Sequence, residues 1–94
     1  MNIEIKESET KGYAIAKEND KTAGKMTYSI ADKNLIIIDH TEVDSEFGGR
    51  GVGKQLLHKI VDKARDSNLK ILPLCPFAKA MFQKIPEIQD VLKQ

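Results

Sequence analysis

The stretch Phe47-Gly48-Gly49-Arg50-Gly51-Val52-Gly53-Lys54 is the part of this chain best equipped for chemistry. Its glycines let the main chain turn sharply and approach a ligand closely. A run with helical periodicity follows, and a helix start offers unpaired N–H groups and the positive end of a dipole, which suit an anion. The chemistry suggested is the holding of phosphates by main chain, as for a phosphate-bearing cofactor. Arg50 and Lys54 could steer such phosphates; each also reads as ordinary surface charge. His40 could take a proton near neutral pH, and Glu42, two residues on in a strand, shares its face. The plain alternative is a half-exposed histidine on a wet sheet face. Cys75 stands just before a predicted helix, where a thiolate is favoured. A free cysteine also serves as a small buried apolar group.

These groups need elements to position them. Ile3 to Lys6, Tyr13 to Lys17 and Lys25 to Ile30 alternate apolar and polar residues and read as strands. Glu18 to Lys21 reads as a turn, and Asp32-Lys33-Asn34 as a hairpin turn in which Asp and Asn tolerate positive φ. Leu35 to Val43 is the fourth strand. Simple alternation puts Ile36, Ile38, His40 and Glu42 on one face and Ile37, Asp39, Thr41 and Val43 on the other. The period then changes. Val52, Leu56, Leu57, Ile60, Val61 and Ala64 form a helical stripe, with His58 on its polar side, and Ser67-Asn68 ends it. Lys70 to Leu74 reads as a short buried strand parallel to the fourth, because a helix joins them. Pro73 interrupts its hydrogen bonding. Pro76 opens a second helix with Phe77, Met81, Phe82 and Ile85 as its stripe, and Pro86 closes it. Residues 87–94 form a short tail, compatible with helix. The three phenylalanines read as core. The fold class expected is α/β: an antiparallel meander continuing into a mixed central sheet, with two main helices.

Ninety-four residues suit a single domain, 1–94. Fifteen basic against fourteen acidic residues give a net charge of +1, and the lysines are spread along the chain. That balance argues against a dedicated nucleic-acid binder. The longest apolar run, Leu35 to Ile38, is too short for a bilayer, and the first six residues lack a signal-peptide core. With one cysteine and no internal disulfide, a reducing cytoplasm is expected. Two histidines and one cysteine offer no metal set. A P-loop is nearly spelled by Gly48-x-x-x-x-Gly53-Lys54, but Gln55 stands where the magnesium-binding hydroxyl belongs.

With these residues in view, the chain resembles the GCN5-related N-acetyltransferase superfamily, and within it the short single-domain YjdJ-like branch. The superfamily signature, Arg/Gln-x-x-Gly-x-Gly/Ala after the fourth strand, is matched by Gly51-Val52-Gly53. Glu46-Phe47, Cys75-Pro76-Phe77-Ala78-Lys79-Ala80-Met81-Phe82 and Pro86-Glu87 also resemble the branch. The likeness covers about the last two thirds of the chain, and the meander before it agrees in element order. The signature's Arg or Gln falls on Gly48, and Arg50 is out of register.

The resemblance implies acetyl transfer from acetyl-coenzyme A to an amine, on a small molecule or a protein. It implies a sheet opened as a V between the fourth and fifth strands. The cofactor arm would lie there along the main chain of Asp39 to Val43, with Thr41 and Val43 among its contacts. Gly48, Gly49, Arg50, Gly51, Val52, Gly53 and Lys54 would hold the pyrophosphate. His40 with Glu42 would be the base. Cys75 would be nucleophile or acid; many relatives give the acid's post to a tyrosine, and none follows Tyr28. Acetyl-CoA and an amine are thus the expected partners, without metal, nucleic acid or membrane, for a monomer or weak dimer. The alternative is an acyl-CoA-binding sensor or regulatory protein without catalysis.

Overall fold

The computed structural model describes residues 1–93. Five strands, β1 (Asn2–Glu7), β2 (Lys11–Glu18), β3 (Lys21–Asp32), β4 (Leu35–Val43) and β5 (Lys70–Pro73), lie in sequence order in one sheet. The first four pair antiparallel, and β5 runs parallel to β4. Helix α1 (Val52–Asp66) makes the crossover between β4 and β5, and α2 (Pro76–Lys84) follows β5. This is the mixed α/β arrangement expected from the alternation and the change of period.

Each connection has a local cause. Asn19 and Asp20 both take positive φ, 50° and 65°, the geometry of a primed two-residue hairpin turn. The β3–β4 turn is built differently from the expectation: none of Asp32, Lys33 or Asn34 has positive φ. Instead Asp32 Oδ1 accepts the Asn34 N–H at 2.7 Å, so the side chain closes the turn. Helix α1 ends where Asn68 turns left-handed (φ 57°), letting the Leu69 N–H donate back to the Ala64 carbonyl at 2.8 Å. After α2, a 3-10 segment (Pro86–Val91) returns the chain to the sheet edge, where the Lys93 N–H donates to the Ile71 carbonyl. Arg65 on α1 holds that return segment through both Asp90 oxygens and the Glu87 carbonyl.

The core lies on one face of the sheet. Leu56, Leu57, Ile60 and Val61 of α1 are fully buried with Ala14, Ala16, Met26, Ile36 and Ile38 of the sheet. Truncating one such side chain to Ala typically costs about 2–5 kcal/mol. The opposite face carries Lys11, Tyr13, Ile15, Lys25, Thr27, Ser29, Ile37 and Asp39, none of them fully buried. No helix among the described residues is long and apolar enough to cross a membrane.

Two phenylalanines, Phe47 and Phe82, are core, as expected. Phe77 is not: it is 38% exposed, and Leu74, expected in a buried strand, is 60% exposed. The reason is that β5 stops at Pro73, opposite Ile38. The Leu74 and Cys75 N–H groups both turn onto the Ile38 carbonyl, at 3.0 and 3.2 Å, and swing the chain away from β4.

Candidate active site

The divergence at Ile38–Pro73 defines the site. Beyond it, Asp39 to Val43 continue as strand paired only with β3. The walls of this opening carry exposed apolar side chains, Val43 and Leu74, with Phe77 at the start of α2.

At the same point β4 contains a bulge. Ile38 pairs with Tyr28 and His40 with Thr27, leaving Asp39 as an extra residue. This corrects the face assignment made by simple alternation, because one inserted residue reverses every side chain after it. Thr41 and Val43 now share the helix-covered side with Ile36 and Ile38. His40 and Glu42 share the open side with Ile37 and Asp39. The expected pairing of His40 with Glu42 is present: Nε2 lies 3.1 Å from Glu42 Oε1, with both side chains largely in solvent. Asp39, which the sequence reading gave no side-chain part, accepts from Thr27 Oγ1 at 2.8 Å and Ser29 Oγ at 3.0 Å.

Cys75 is buried and precedes Pro76, the first residue of α2. Its Sγ lies 3.2 Å from Thr41 Oγ1, so it packs on the helix side of β4. The structure therefore joins Cys75 to Thr41 and His40 to Glu42 as two pairs on opposite faces of one strand. Thr41 is expected to contribute main chain to a cofactor; what the structure shows is its hydroxyl against Cys75. A bulge leaves almost no trace in an apolar/polar pattern, so the sequence could not reveal this partnership.

The glycine loop runs from β4 to α1 through a 3-10 turn (Ser45–Phe47), whose start is capped by Asp44 Oδ1 accepting the Glu46 N–H. Gly48 does not join the expected anion donors, because its N–H is committed to the Ser45 carbonyl at 3.1 Å. From Gly49 onward the position differs. The first intrahelical bond is Gln55 N–H to the Gly51 carbonyl, and α1 has no side-chain cap at its start. Among the described residues, the N–H groups of Gly49, Arg50, Gly51, Val52, Gly53 and Lys54 have no hydrogen-bond acceptor in the protein. Gly49 (φ 78°) and Gly51 (φ 71°) take the left-handed conformation that aims consecutive N–H groups outward. The first turn of α1 contains no acidic residue. These features fit a phosphate group.

Arg50 is committed elsewhere. Its guanidinium grips Glu18 at 2.6 and 3.0 Å and lies over the Phe47 ring. The paired hydrogen bonds hold the Glu18 carboxyl below its ordinary value and raise the Arg50 guanidinium. Together with Lys21–Glu46 (3.1 Å), this pair straps the loop to the β2–β3 hairpin. Lys54, by contrast, makes no ion pair among the described residues. Gly53 also has a packing role, since a Cβ there would lie 2.5 Å from the Phe77 ring.

A model of the family described as GCN5-related N-acetyl-transferase matches residues 12–91. The chain belongs to this family. The match covers the signature glycines, the bulged strand and the Cys75 segment alike. A solution structure of a GCN5-like protein from Staphylococcus aureus is 48% identical; the alignment covers 98% of this chain and 89% of that one, with TM-score 0.72. A ribosomal-protein-alanine N-acetyltransferase from Brucella melitensis biovar Abortus 2308 shares the fold at 17% identity and TM-score 0.70, covering 83% of this chain and 62% of that one. An aminoglycoside N-acetyltransferase in complex with CoA does so at 15% identity and TM-score 0.63, covering 82% of this chain and 67% of that one. No protein among the curated sequences matches.

Proposed function

We infer that this GCN5-related protein transfers an acetyl group from acetyl-coenzyme A to an amine. The observation that carries the reading is the run of N–H groups from Gly49 to Lys54 without acceptors among the described residues, placed beside a strand that has lost its neighbour. The first feature suits a pyrophosphate, and the second suits an extended arm. That an aminoglycoside N-acetyltransferase of the same fold was solved with CoA supports the assignment of these two features.

Acetyl-CoA supplies a thioester whose carbonyl an amine can attack. The residues of this chain do the rest. The N–H groups of Gly49 to Lys54 hold the pyrophosphate, and Lys54 adds charge. Val43, Leu74 and Phe77 shield the arm from water. His40, braced by Glu42, takes a proton from the incoming amine on the open face. As the C–N bond forms the C–S bond breaks, and Cys75 gives its thiol proton to the departing thiolate from the helix side. Placing base and acid on opposite faces of one strand lets each act on its own side of the reacting carbon. A main-chain N–H of β4, on the edge left by β5, stabilises the charge on the carbonyl oxygen.

The non-catalytic acyl-CoA sensor draws on one observation: His40 and Cys75 lie on opposite faces of β4, each paired with a different residue. Titrating ¹⁵N-labelled protein with acetyl-CoA, followed by thiol release over a panel of amines, separates the readings. Shifts at Asp39 to Lys54 and Cys75, with amine-dependent thiol release, support the enzyme. The same shifts without release on any amine select the sensor. No shifts at millimolar ligand overturn both.

A further inference from the structure

The open face of the sheet holds a feature that acetyl-CoA does not use. A cavity of about 620 Å³ lies over β1 to β4, within the usual range for small-molecule sites. Its lining includes Lys6, Lys11, Tyr13, Thr27, Asp39 and His40. It ends at the β4 bulge, where the strand parts from β5.

The charges here are unevenly spent. Glu7, at the cavity edge, is already satisfied by Tyr28 Oη at 2.7 Å and Lys63 Nζ at 3.0 Å. Asp39 is not. Both of its oxygens accept from neutral hydroxyls, those of Thr27 and Ser29, and among the described residues it has no cationic partner. Hydroxyl donors fix the carboxylate's orientation without cancelling its charge. At the other end, Lys6 and Lys11 make no ion pair among the described residues. Between them lies Tyr13, with Lys25 Nζ over its ring at 4.3 Å from the centroid. Register places Lys6, Tyr13, Thr27 and His40 in one cross-strand row, and Lys11 and Ser29 in the next. From β2 to β4 is two strand spacings, about 10 Å.

We propose that this cavity is the acceptor seat and that it takes a small zwitterionic amine: a primary ammonium held by Asp39, and a carboxylate or phosphate held by Lys6 and Lys11. Its role as acceptor seat rests on the acetyl-transfer reading, whereas its binding chemistry does not. Asp39 collects the amine as its cation directly beside His40, which then relieves it of a proton. Tyr13 packs along the linking chain. A plain alkylamine or a plain acid satisfies only one end.

The test is a ¹⁵N titration of the full chain with 6-aminohexanoate, pentylamine, hexanoate and aminopentyl phosphate. We expect shifts at Tyr13, Thr27, Ser29, Asp39 and His40, with the two zwitterions binding about tenfold or more tighter than pentylamine or hexanoate, the worth of one charge-assisted contact. The carboxylate and the phosphate arms show which anion the lysines prefer. Asp39→Asn should weaken 6-aminohexanoate and pentylamine about tenfold and leave hexanoate alone; Lys6→Ala with Lys11→Ala should do the converse. A folded Asp39→Asn that binds all four as wild type does, or no shifts on this face at tens of millimolar ligand, overturns the proposal. Failure of acetyl-CoA to bind, with these amine shifts intact, would overturn the acetyl-transfer reading and leave the binding site standing.

Discussion

Gly51→Ala isolates the conformational demand of the anion cradle. A Cβ at position 51 would have nothing within 4 Å, so packing does not resist the change. The cost is torsional: with φ at 71°, an L side chain pays about 1–2 kcal/mol for the left-handed conformation. Alanine also restricts the unfolded chain less than its folded strain costs, so the net remains destabilising by about 1 kcal/mol or somewhat more. For a domain of this length that lowers Tm by about 4–8 °C per kcal/mol. The chain can relieve the strain by rotating the peptides on either side of residue 51. That turns the N–H groups of Gly51 and Val52 away from a common centre, and acetyl-CoA affinity should fall about tenfold, roughly one charged hydrogen bond. Thermal unfolding and an acetyl-CoA titration of the same variant measure both terms. Gly51→Asn is the control, because asparagine tolerates the left-handed region better than alanine. It should recover part of the lost Tm. An alanine variant as stable as wild type, or an asparagine variant less stable than the alanine one, would refute the torsional argument.

Gly24→Ala should be worse for stability, because the new Cβ would sit 2.9 Å from the Glu42 carbonyl and 2.8 Å from Val52 Cγ1. The carbonyl is backbone and cannot step aside, so denaturant unfolding should show a loss of about 1–3 kcal/mol or more. Cys75→Ala should lower kcat about a hundredfold with little change in acetyl-CoA binding. Thr41→Val, which removes only the hydroxyl at 3.2 Å from Sγ, should lower it about fivefold; unchanged turnover in both would reject Cys75 as the acid. His40→Ala should lower kcat about a hundredfold with acetyl-CoA binding unchanged, and turnover equal to wild type would reject His40 as the base. Arg50 holds the Glu18 carboxyl below its ordinary 4.5. The pair's contribution is therefore fully present above that value and fades as pH falls through the lowered one. The Tm difference between wild type and Glu18→Gln should be constant near neutrality and close in acid; a difference that widens in acid contradicts the assignment.

Most of the architecture was legible because it rests on period. Alternation in Tyr13 to Lys17 and Lys25 to Ile30 and the stripe from Val52 to Ala64 each imply a buried face whatever the tertiary context. Pro73 marks the end of β5 because it denies the ladder an N–H, and Pro76 marks the start of α2 because the first helical position needs none. The glycine loop was legible as an anion seat, but its boundaries were not. Whether Gly48 offers its N–H depends on the 3-10 turn before it, and that turn is set by an Asp44 cap with no wider pattern. Arg50 was ambiguous from sequence because its partner, Glu18, lies 32 residues away across the sheet.

The β4 bulge is the point at which local pattern and site part company. Leu35 to Val43 reads as one uninterrupted strand, and under that reading Thr41 lies beside Asp39 on the open face, far from any thiol. Inserting Asp39 as an unpaired residue reverses the second half of the strand. It delivers Thr41 to Cys75 on one side and sets Asp39, His40 and Glu42 together on the other. The bulge falls at Ile38–Pro73, where β5 departs, so the strand is re-aimed just where it loses its neighbour. A strand still paired on both sides would lose ladder bonds to such an insertion. At a one-sided strand the loss is confined to β3, and Thr27 and Ser29 offset part of it by holding the Asp39 carboxylate. The same residue thus stabilises the irregularity and leaves its charge available to a ligand. Gatherings of this kind need a break in regular pairing, and such a break is what periodicity cannot report.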